Sequence, residues 1–294
     1  MLTFMPVPGH QTNIVRMPAP QHLEAAGVSF PMVVAGEGLP ILFVHGGWAD
    51  LRIWCVLWEQ ISERHTFLAI TQRHFGREVW PSTRPYSRAV HTDDLIAVLR
   101  TMNTPVHLVG WSYAGGILLR TACQVPDLVR SLVIFEPSFE SEALPKDNEK
   151  LRRAREVFWQ ELEPAYTAAR SGDLHLAMRL GVEIVFGLGR DGFETLDPRV
   201  QGVFLDNAHT MIPDLEAPAP EPLTKAELGM VTCPTLICCG DHTHAQYQLM
   251  AEFMLSGLAN GSIRQFAGFG HGAPVQVPDH FAEVVLDFVD AVPA

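Results

Sequence analysis

The sequence predicts an α/β fold: a doubly wound, mostly parallel sheet with a block of helices inserted between two of its strands. Three observations carry this. Short apolar runs bounded by turn residues alternate with segments of helical periodicity from residue 28 onward. The alternation stops after Pro137 and gives way to amphipathic helix through about residue 227. It resumes at Pro234 and continues to the C-terminal residues.

Taken in order, residues 28–34 (VSFPMVV) form an extended run that ends in the turn Gly36-Glu37-Gly38. Residues 40–44 (PILFV) are apolar throughout, as in a parallel strand covered on both faces. A helix is expected over 50–64, a strand at 67–70, a helix at 93–100 and a strand at 106–109. Residues 116–123 place Leu118, Leu119 and Ala122 on one helical face, and 132–135 (LVIF) is the next strand. Such βαβα order implies right-handed crossovers. The inserted helices have charge-rich starts such as 146–155 and close on Ala217-Pro218-Ala219-Pro220-Glu221-Pro222, a stiff connector. Strands at 235–239 and 263–266 follow, then a last helix carrying Phe281, Val284, Val285, Phe288 and Val292 at helical spacing. The expected division is a core of residues 1–137 and 228–294, with a helical cap at 138–227 and no internal repeat.

Composition bounds the function. A chain of 294 residues, 47% apolar and 18% charged, has ample core for one large domain. A net charge of −12 argues against nucleic acid or an anionic membrane surface as partner, so a small-molecule substrate is expected, with homo-oligomerisation left open. None of the five cysteines forms a C-x-x-C pair, and Cys238 and Cys239 lie in an apolar run, so reduced buried thiols are expected, with no metal and no cofactor. Residues 1–20 lack a secretory apolar stretch, and no run approaches the roughly 18 apolar residues of a membrane span. A cytoplasmic location is the expectation.

The chemistry is concentrated at turns. Gly110-Trp111-Ser112-Tyr113-Ala114-Gly115 lies between an apolar strand and a helix, and fits a nucleophile elbow, whose strained turn demands small residues two before and two after the nucleophile. Gly110 and Ala114 meet that demand, with Ala114 in place of the second glycine of G-x-S-x-G. The helix that follows aims its free N–H groups at the serine. His45-Gly46-Gly47-Trp48 follows a strand, where a glycine turn can point N–H groups into a pocket. His271 sits in Gly268-Phe269-Gly270-His271-Gly272, and Glu136 ends a strand in Phe135-Glu136-Pro137.

In this order the motifs resemble those of the α/β-hydrolase family, in its capped esterase, epoxide-hydrolase and lactonase-like branch. The matching residues are Val44-His45-Gly46-Gly47 with Trp54 nine positions after His45, Gln72-Arg73-His74-Phe75-Gly76 where relatives carry D-x-R-G-x-G, the Ser112 elbow and Gly270-His271. The resemblance spans residues 28–292. It implies Ser112 as nucleophile, His271 as general base and then acid, and the backbone N–H groups of Gly47 and Tyr113 as oxyanion hole. The acid departs from the common pattern. The usual G-x-x-D position here reads Gly240-Asp241-His242-Thr243, which puts a threonine at the acid position and Asp241 two residues early. Glu136 occupies the alternative position used by some haloalkane dehalogenases and zearalenone-type lactone hydrolases, and is the preferred acid, with Asp241 as the alternative. Glu136 could instead pair with Arg73 or cap the next helix. His45 is read as shaping its turn, and His91, His107, His209, His242 and His244 as surface or satisfied core groups.

Serine at position 112 argues for acyl transfer, because epoxide and haloalkane chemistry on this fold uses an aspartate nucleophile. Ester, lactone, thioester or activated C–C bond hydrolysis and perhydrolysis share the same triad. The expected pocket walls are Trp48, Trp111, Trp159, Tyr166, Phe186 and Met211, with Phe158, Phe193 and Phe204 as further cap candidates, suited to a compact, mostly apolar ester or lactone. The cap's acidic residues weigh against a strongly acidic substrate. A non-catalytic ligand-binding protein and a cofactor-independent oxygenase are the readings from other classes.

Overall fold

The computed structural model describes residues 17–81, 84–139 and 148–293. Residues 1–16 of the N-terminal stretch read for targeting and the start of the charge-rich segment, Lys146 and Asp147, lie outside them. The strands are β1 (Gln21–Ala25), β2 (Val28–Ala35), β3 (Pro40–Val44), β4 (Thr66–Ile70), β5 (Val106–Trp111), β6 (Val129–Phe135), β7 (Thr235–Gly240) and β8 (Gly261–Phe266). They form one eight-stranded sheet in the order β1-β2-β4-β3-β5-β6-β7-β8. The β1–β2 and β2–β4 pairs are antiparallel, and every later pair is parallel. Strand order reverses at β3, so β3 and β5 open a crevice at their C-terminal ends, where ligands bind in sheets of this type.

The helices cover both faces, as the apolar strands require. Helices α1 (Trp58–Ser62), α2 (Arg88–Thr101) and α3 (Tyr113–Gln124) fall among the first six strands. Successive side chains of a strand point to opposite faces. Leu42, Val44, Leu108, Leu132, Ile134 and Ile237 therefore join the core of α2, α3 and the helix α9 (Ala245–Gly257). Ile41, Phe43, Val109, Val133, Phe135 and Cys238 join the other core, with Trp54 and the C-terminal helix (Pro278–Ala291), to which Phe281 and Val285 belong. The stretch expected as one helix over 50–64 is a 3-10 turn, Leu51–Val56, followed by α1, with Leu57 between them at φ −136° and ψ −8°.

Between β6 and β7 the described chain is helical: α4 (Glu149–Arg170), α5 (Leu174–Phe186), α6 (Pro198–Asp206), α7 (Met211–Glu216) and α8 (Lys225–Gly229). Side-chain caps set their starts. Asn148 accepts from Leu151 N–H, Asp173 from Leu176 N–H and Asp197 from Arg199 N–H, while Thr224 and Glu227 form a reciprocal capping box. A buried polar cluster ties this layer to the sheet. Asn207, fully buried, donates to Asp50 Oδ2 at 2.7 Å and accepts from Gly76 N–H at 2.7 Å. Arg52 bridges Asp50 and Asp206, at 2.6 and 2.7 Å. Among the described residues no helix is long and apolar enough to cross a membrane.

Candidate active site

Ser112 sits between β5 and α3 with φ 53° and ψ −113°, a conformation L-residues rarely adopt. Packing enforces this turn. A Cβ on Gly110 would meet Leu118 Cδ2 at 2.6 Å and Ala114 Cβ at 3.3 Å, and one on Gly115 would meet Pro137 Cβ at 2.5 Å. Both small residues are therefore there to let α3 start immediately beneath the strand ends. Backbone bonds tie those ends together: Ser112 N–H to Phe135 O and Glu136 N–H to Cys238 O, both at 2.9 Å.

Glu136 continues β6 at φ 41° and is fully buried. His271 Nδ1 lies 2.7 Å from Glu136 Oε2, which also accepts from Thr243 Oγ1 at 2.8 Å. The other carboxylate oxygen accepts from Gly240 N–H at 2.8 Å. A buried carboxylate needs such partners, and these are supplied by the loop after β7. Thr243, at the position where the resemblance would place the acid, thus donates to Glu136. Asp241 is elsewhere: it is exposed, and its carboxylate accepts from Gly268 N–H at 2.6 Å. Arg73 is also occupied, in a buried two-point ion pair with Asp94 at 2.7 Å.

The imidazole of His271 is clamped from several sides. Tyr247, on α9, stacks on it with ring centroids 4.1 Å apart and planes at 14°. Burial pushes the Tyr247 phenol up, so it remains protonated. Trp111 Nε1–H donates to the His271 carbonyl at 3.0 Å. Phe186 closes in because residue 272 is glycine; a Cβ there would sit 2.4 Å from Phe186 Cδ2.

The turn after β3 runs against the elbow. A Cβ on Gly46 would lie 3.4 Å from Ser112 Cβ, and one on Gly47 3.6 Å from Tyr113 Cβ. Gly46 thus packs against Ser112, and Gly47 against Tyr113. Trp48 follows at φ 59°. His45 holds this turn as expected: Nδ1–H donates to Gly46 O at 2.7 Å and Nε2 accepts from Gln72 N–H at 3.0 Å.

Burial lowers the His45 pKa to about 4, so the ring is neutral in the folded chain. An unfolded histidine at its ordinary value, about 6.5, takes up a proton that the folded one refuses. Its contribution to stability is therefore complete above pH 6.5 and is lost as pH falls toward 4. We expect this one group to lower the unfolding free energy by about 2 kcal/mol between pH 7 and pH 5. Urea unfolding at the two pH values measures it, and His45→Gln should flatten the slope.

Tyr113 is anchored through its side chain. Its hydroxyl lies 2.8 Å from His91 Nδ1, His91 Nε2 lies 3.2 Å from His74 Nδ1, and His74 Nε2 lies 3.1 Å from the Arg84 carbonyl. A carbonyl only accepts, so His74 carries its proton on Nε2, His91 carries its own on Nε2, and Tyr113 donates to His91. Burial holds His91 well below the ordinary histidine value, consistent with a neutral ring. The satisfied core histidine of the sequence thus fixes the residue next to Ser112.

Ser112 and His271 line a cavity of about 280 Å³. Trp48, Trp111, Trp159, Tyr166 and Phe186 line it, together with Phe158 and Phe204. Met211 does not: it is fully buried, its Cε 3.4 Å from where a Gly181 Cβ would be, on the face of α7 that packs into the helical layer. Phe193 is likewise core. The sequence reading missed Arg88, Arg155, Asp214, Gln246 and Tyr247, all of which line the cavity. No local motif marks them; they reach the cavity from four helices, α2, α4, α7 and α9. Among the described residues no group of three or more His, Cys, Asp and Glu is placed to hold a metal ion.

A model described as "Alpha/beta hydrolase family" matches residues 41–285. A 2-(acetamidomethylene)succinate hydrolase of Mesorhizobium japonicum is 32% identical over 139 residues, 46% of this chain and 50% of that protein. A 2-hydroxymuconate semialdehyde hydrolase of Pseudomonas sp. strain CF600 is 30% identical over 115 residues, 38% of this chain and 41% of that protein. The chain thus matches half or less of the length of these curated relatives. The crystal structure of the enol-lactonase from Burkholderia xenovorans LB400 superposes with a TM-score of 0.71 at 17% identity, over 92% of this chain and 100% of that one.

Proposed function

Because the chain belongs to the α/β-hydrolase family and places a strained serine beside a buried His–Glu pair, we propose that it is a serine hydrolase cleaving a small carboxylic ester or lactone. The observation that carries this reading is the 2.7 Å contact of the buried Glu136 Oε2 with Nδ1 of His271, a residue that lines the same cavity as Ser112. Glu136 holds the imidazole proton on Nδ1, which leaves Nε2 as the basic nitrogen. Nε2 takes the Ser112 proton as Oγ attacks the acyl carbon, and the Gly47 and Tyr113 N–H groups receive the oxyanion. His271 then protonates the departing alkoxide. A water, deprotonated by the same nitrogen, releases the acid and restores Ser112. Helices α4 to α7 act as a cap whose aromatic side chains select the substrate.

Acylation is testable directly. A fluorophosphonate probe should label the wild-type protein at Ser112, with 4-nitrophenyl butyrate turned over, and both signals should vanish in Ser112→Ala. An unlabelled wild type would exclude the serine mechanism. Hydrolysis of a C–C bond is the second reading, favoured by the relative named for 2-hydroxymuconate semialdehyde. It would use the same triad, with Nε2 delivering the proton to carbon.

A further inference from the structure

The chain carries a net charge of −12, yet among the described residues the cavity is lined by two guanidinium groups, Arg88 and Arg155, and one aspartate, Asp214. Arg88 is placed closest to the elbow. It follows the Ser87 N-cap of α2, and its Cζ lies 4.4 Å from the centroid of the Tyr113 ring. Nη1 donates to the Ser138 carbonyl, and Nη2 to Ser138 Oγ at 3.1 Å. A Cβ on Gly116 would lie 3.5 Å from Nη1, so the guanidinium fills the space beside the first turn of α3. Among the described residues no carboxylate stands within ion-pair distance of Arg88. A half-buried cation is thus answered here by one carbonyl, one hydroxyl and a ring face, with N–H donors remaining on a group that lines the cavity. A guanidinium presents these donors as a planar fork, which matches a carboxylate at two points.

We propose that the substrate is an anionic ester or lactone whose carboxylate binds Arg88 inside the cavity, beside the first turn of α3. This deepens the hydrolase reading and rests on it. Arg155, half-buried on α4, lines the same cavity. Asp214 faces it from α7 and accepts from the Tyr86 hydroxyl at 3.3 Å. Burial pushes the Asp214 carboxyl up toward its neutral form, which reduces its opposition to an anion. The acidic residues that weighed against an acidic substrate in the sequence include Glu156, Glu161 and Glu163, all on the exposed face of α4. They face solvent, where charge is screened, and not the cavity.

A matched pair of esters decides this: 4-nitrophenyl hydrogen adipate and its methyl-capped counterpart, which differ by one negative charge. The wild-type enzyme should prefer the anionic ester by about tenfold or more in kcat/KM, the size of a charge-assisted hydrogen bond. Arg88→Met should bring that ratio to about one, chiefly through KM for the anionic ester. Arg88→Lys, which keeps the charge and loses the fork, should fall between, and serves if the methionine variant does not fold. A binding arm runs without turnover. Monomethyl adipate should raise the melting temperature of Ser112→Ala, and the added Arg88→Met should remove the rise. A wild type that labels with fluorophosphonate but favours the methyl-capped ester overturns the carboxylate site and leaves the hydrolase reading intact. So does a preference that survives Arg88→Met and disappears in Arg155→Met. Failure to label, with monomethyl adipate still stabilising Ser112→Ala through Arg88, removes the hydrolase reading and keeps the anion site.

Discussion

Glu136→Gln is expected to lower kcat by roughly 10³–10⁴ with little change in stability, while Asp241→Asn stays within about twofold of wild type. The glutamine fits the same space. Its carbonyl oxygen can still accept from Gly240 N–H, as Oε1 does at 2.8 Å. Its amide nitrogen then stands where Oε2 meets His271 Nδ1 at 2.7 Å. An N–H there donates to Nδ1 and drives the imidazole proton to Nε2, the nitrogen that must accept from Ser112. Geometry survives and the tautomer reverses, so the loss falls on the chemical step. Asp241 has no comparable route, since its carboxylate is engaged by Gly268 N–H on the exposed side of the loop. Steady-state kinetics on 4-nitrophenyl butyrate, with circular dichroism to check folding, would measure both. A severe loss in Asp241→Asn with near-normal Glu136→Gln would reverse the assignment.

Gly240→Ala is expected to destabilise the chain by about 1–3 kcal/mol and to cut kcat by about 10²-fold. The added Cβ would stand 2.1 Å from the Phe269 carbonyl oxygen and 2.8 Å from its carbon. Both are backbone atoms, so no rotamer change relieves the clash. The loops after β7 and β8 would have to separate, and these loops carry the Glu136 donor and His271. Gly202→Ala is the control. It lies in α6 with nothing within 4 Å of the added carbon, so it should be neutral or stabilise by about 0.5–1 kcal/mol. Urea unfolding compares the two. Equal stability of Gly240→Ala and wild type would show that the two loops are free to shift.

The elements legible in the sequence were those whose burial is uniform or cleanly periodic. β3, β5, β6 and β7 are covered on both faces and read as continuous apolar runs. β1 was not seen, because it is an edge strand whose first residues are mostly exposed and which pairs only with β2. α9 was missed for the opposite reason: Tyr247, Leu249, Met250, Ala251, Phe253 and Met254 are all buried, which blurs the contrast between faces. Met211 was misplaced because an apolar residue on a cap helix reads alike whether it faces a cavity or the core.

The sequence by itself determined the alternation of buried strands with helices, the helical block between β6 and β7, and the turns that present Ser112, His271 and the Gly46-Gly47 backbone. Each of these is a local matter: a small residue where a side chain would collide, or a glycine beside a polar group. Only the tertiary structure decided which carboxylate meets His271, because Glu136 and His271 are 135 positions apart and join only when β6 and the loop after β8 come side by side. The same holds for Tyr247 on the imidazole, for His91 beneath Tyr113 and for Arg88 in the cavity. Their roles follow from crossovers that bring distant helices to one end of the sheet, and a side chain's type says nothing of that until the chain is folded.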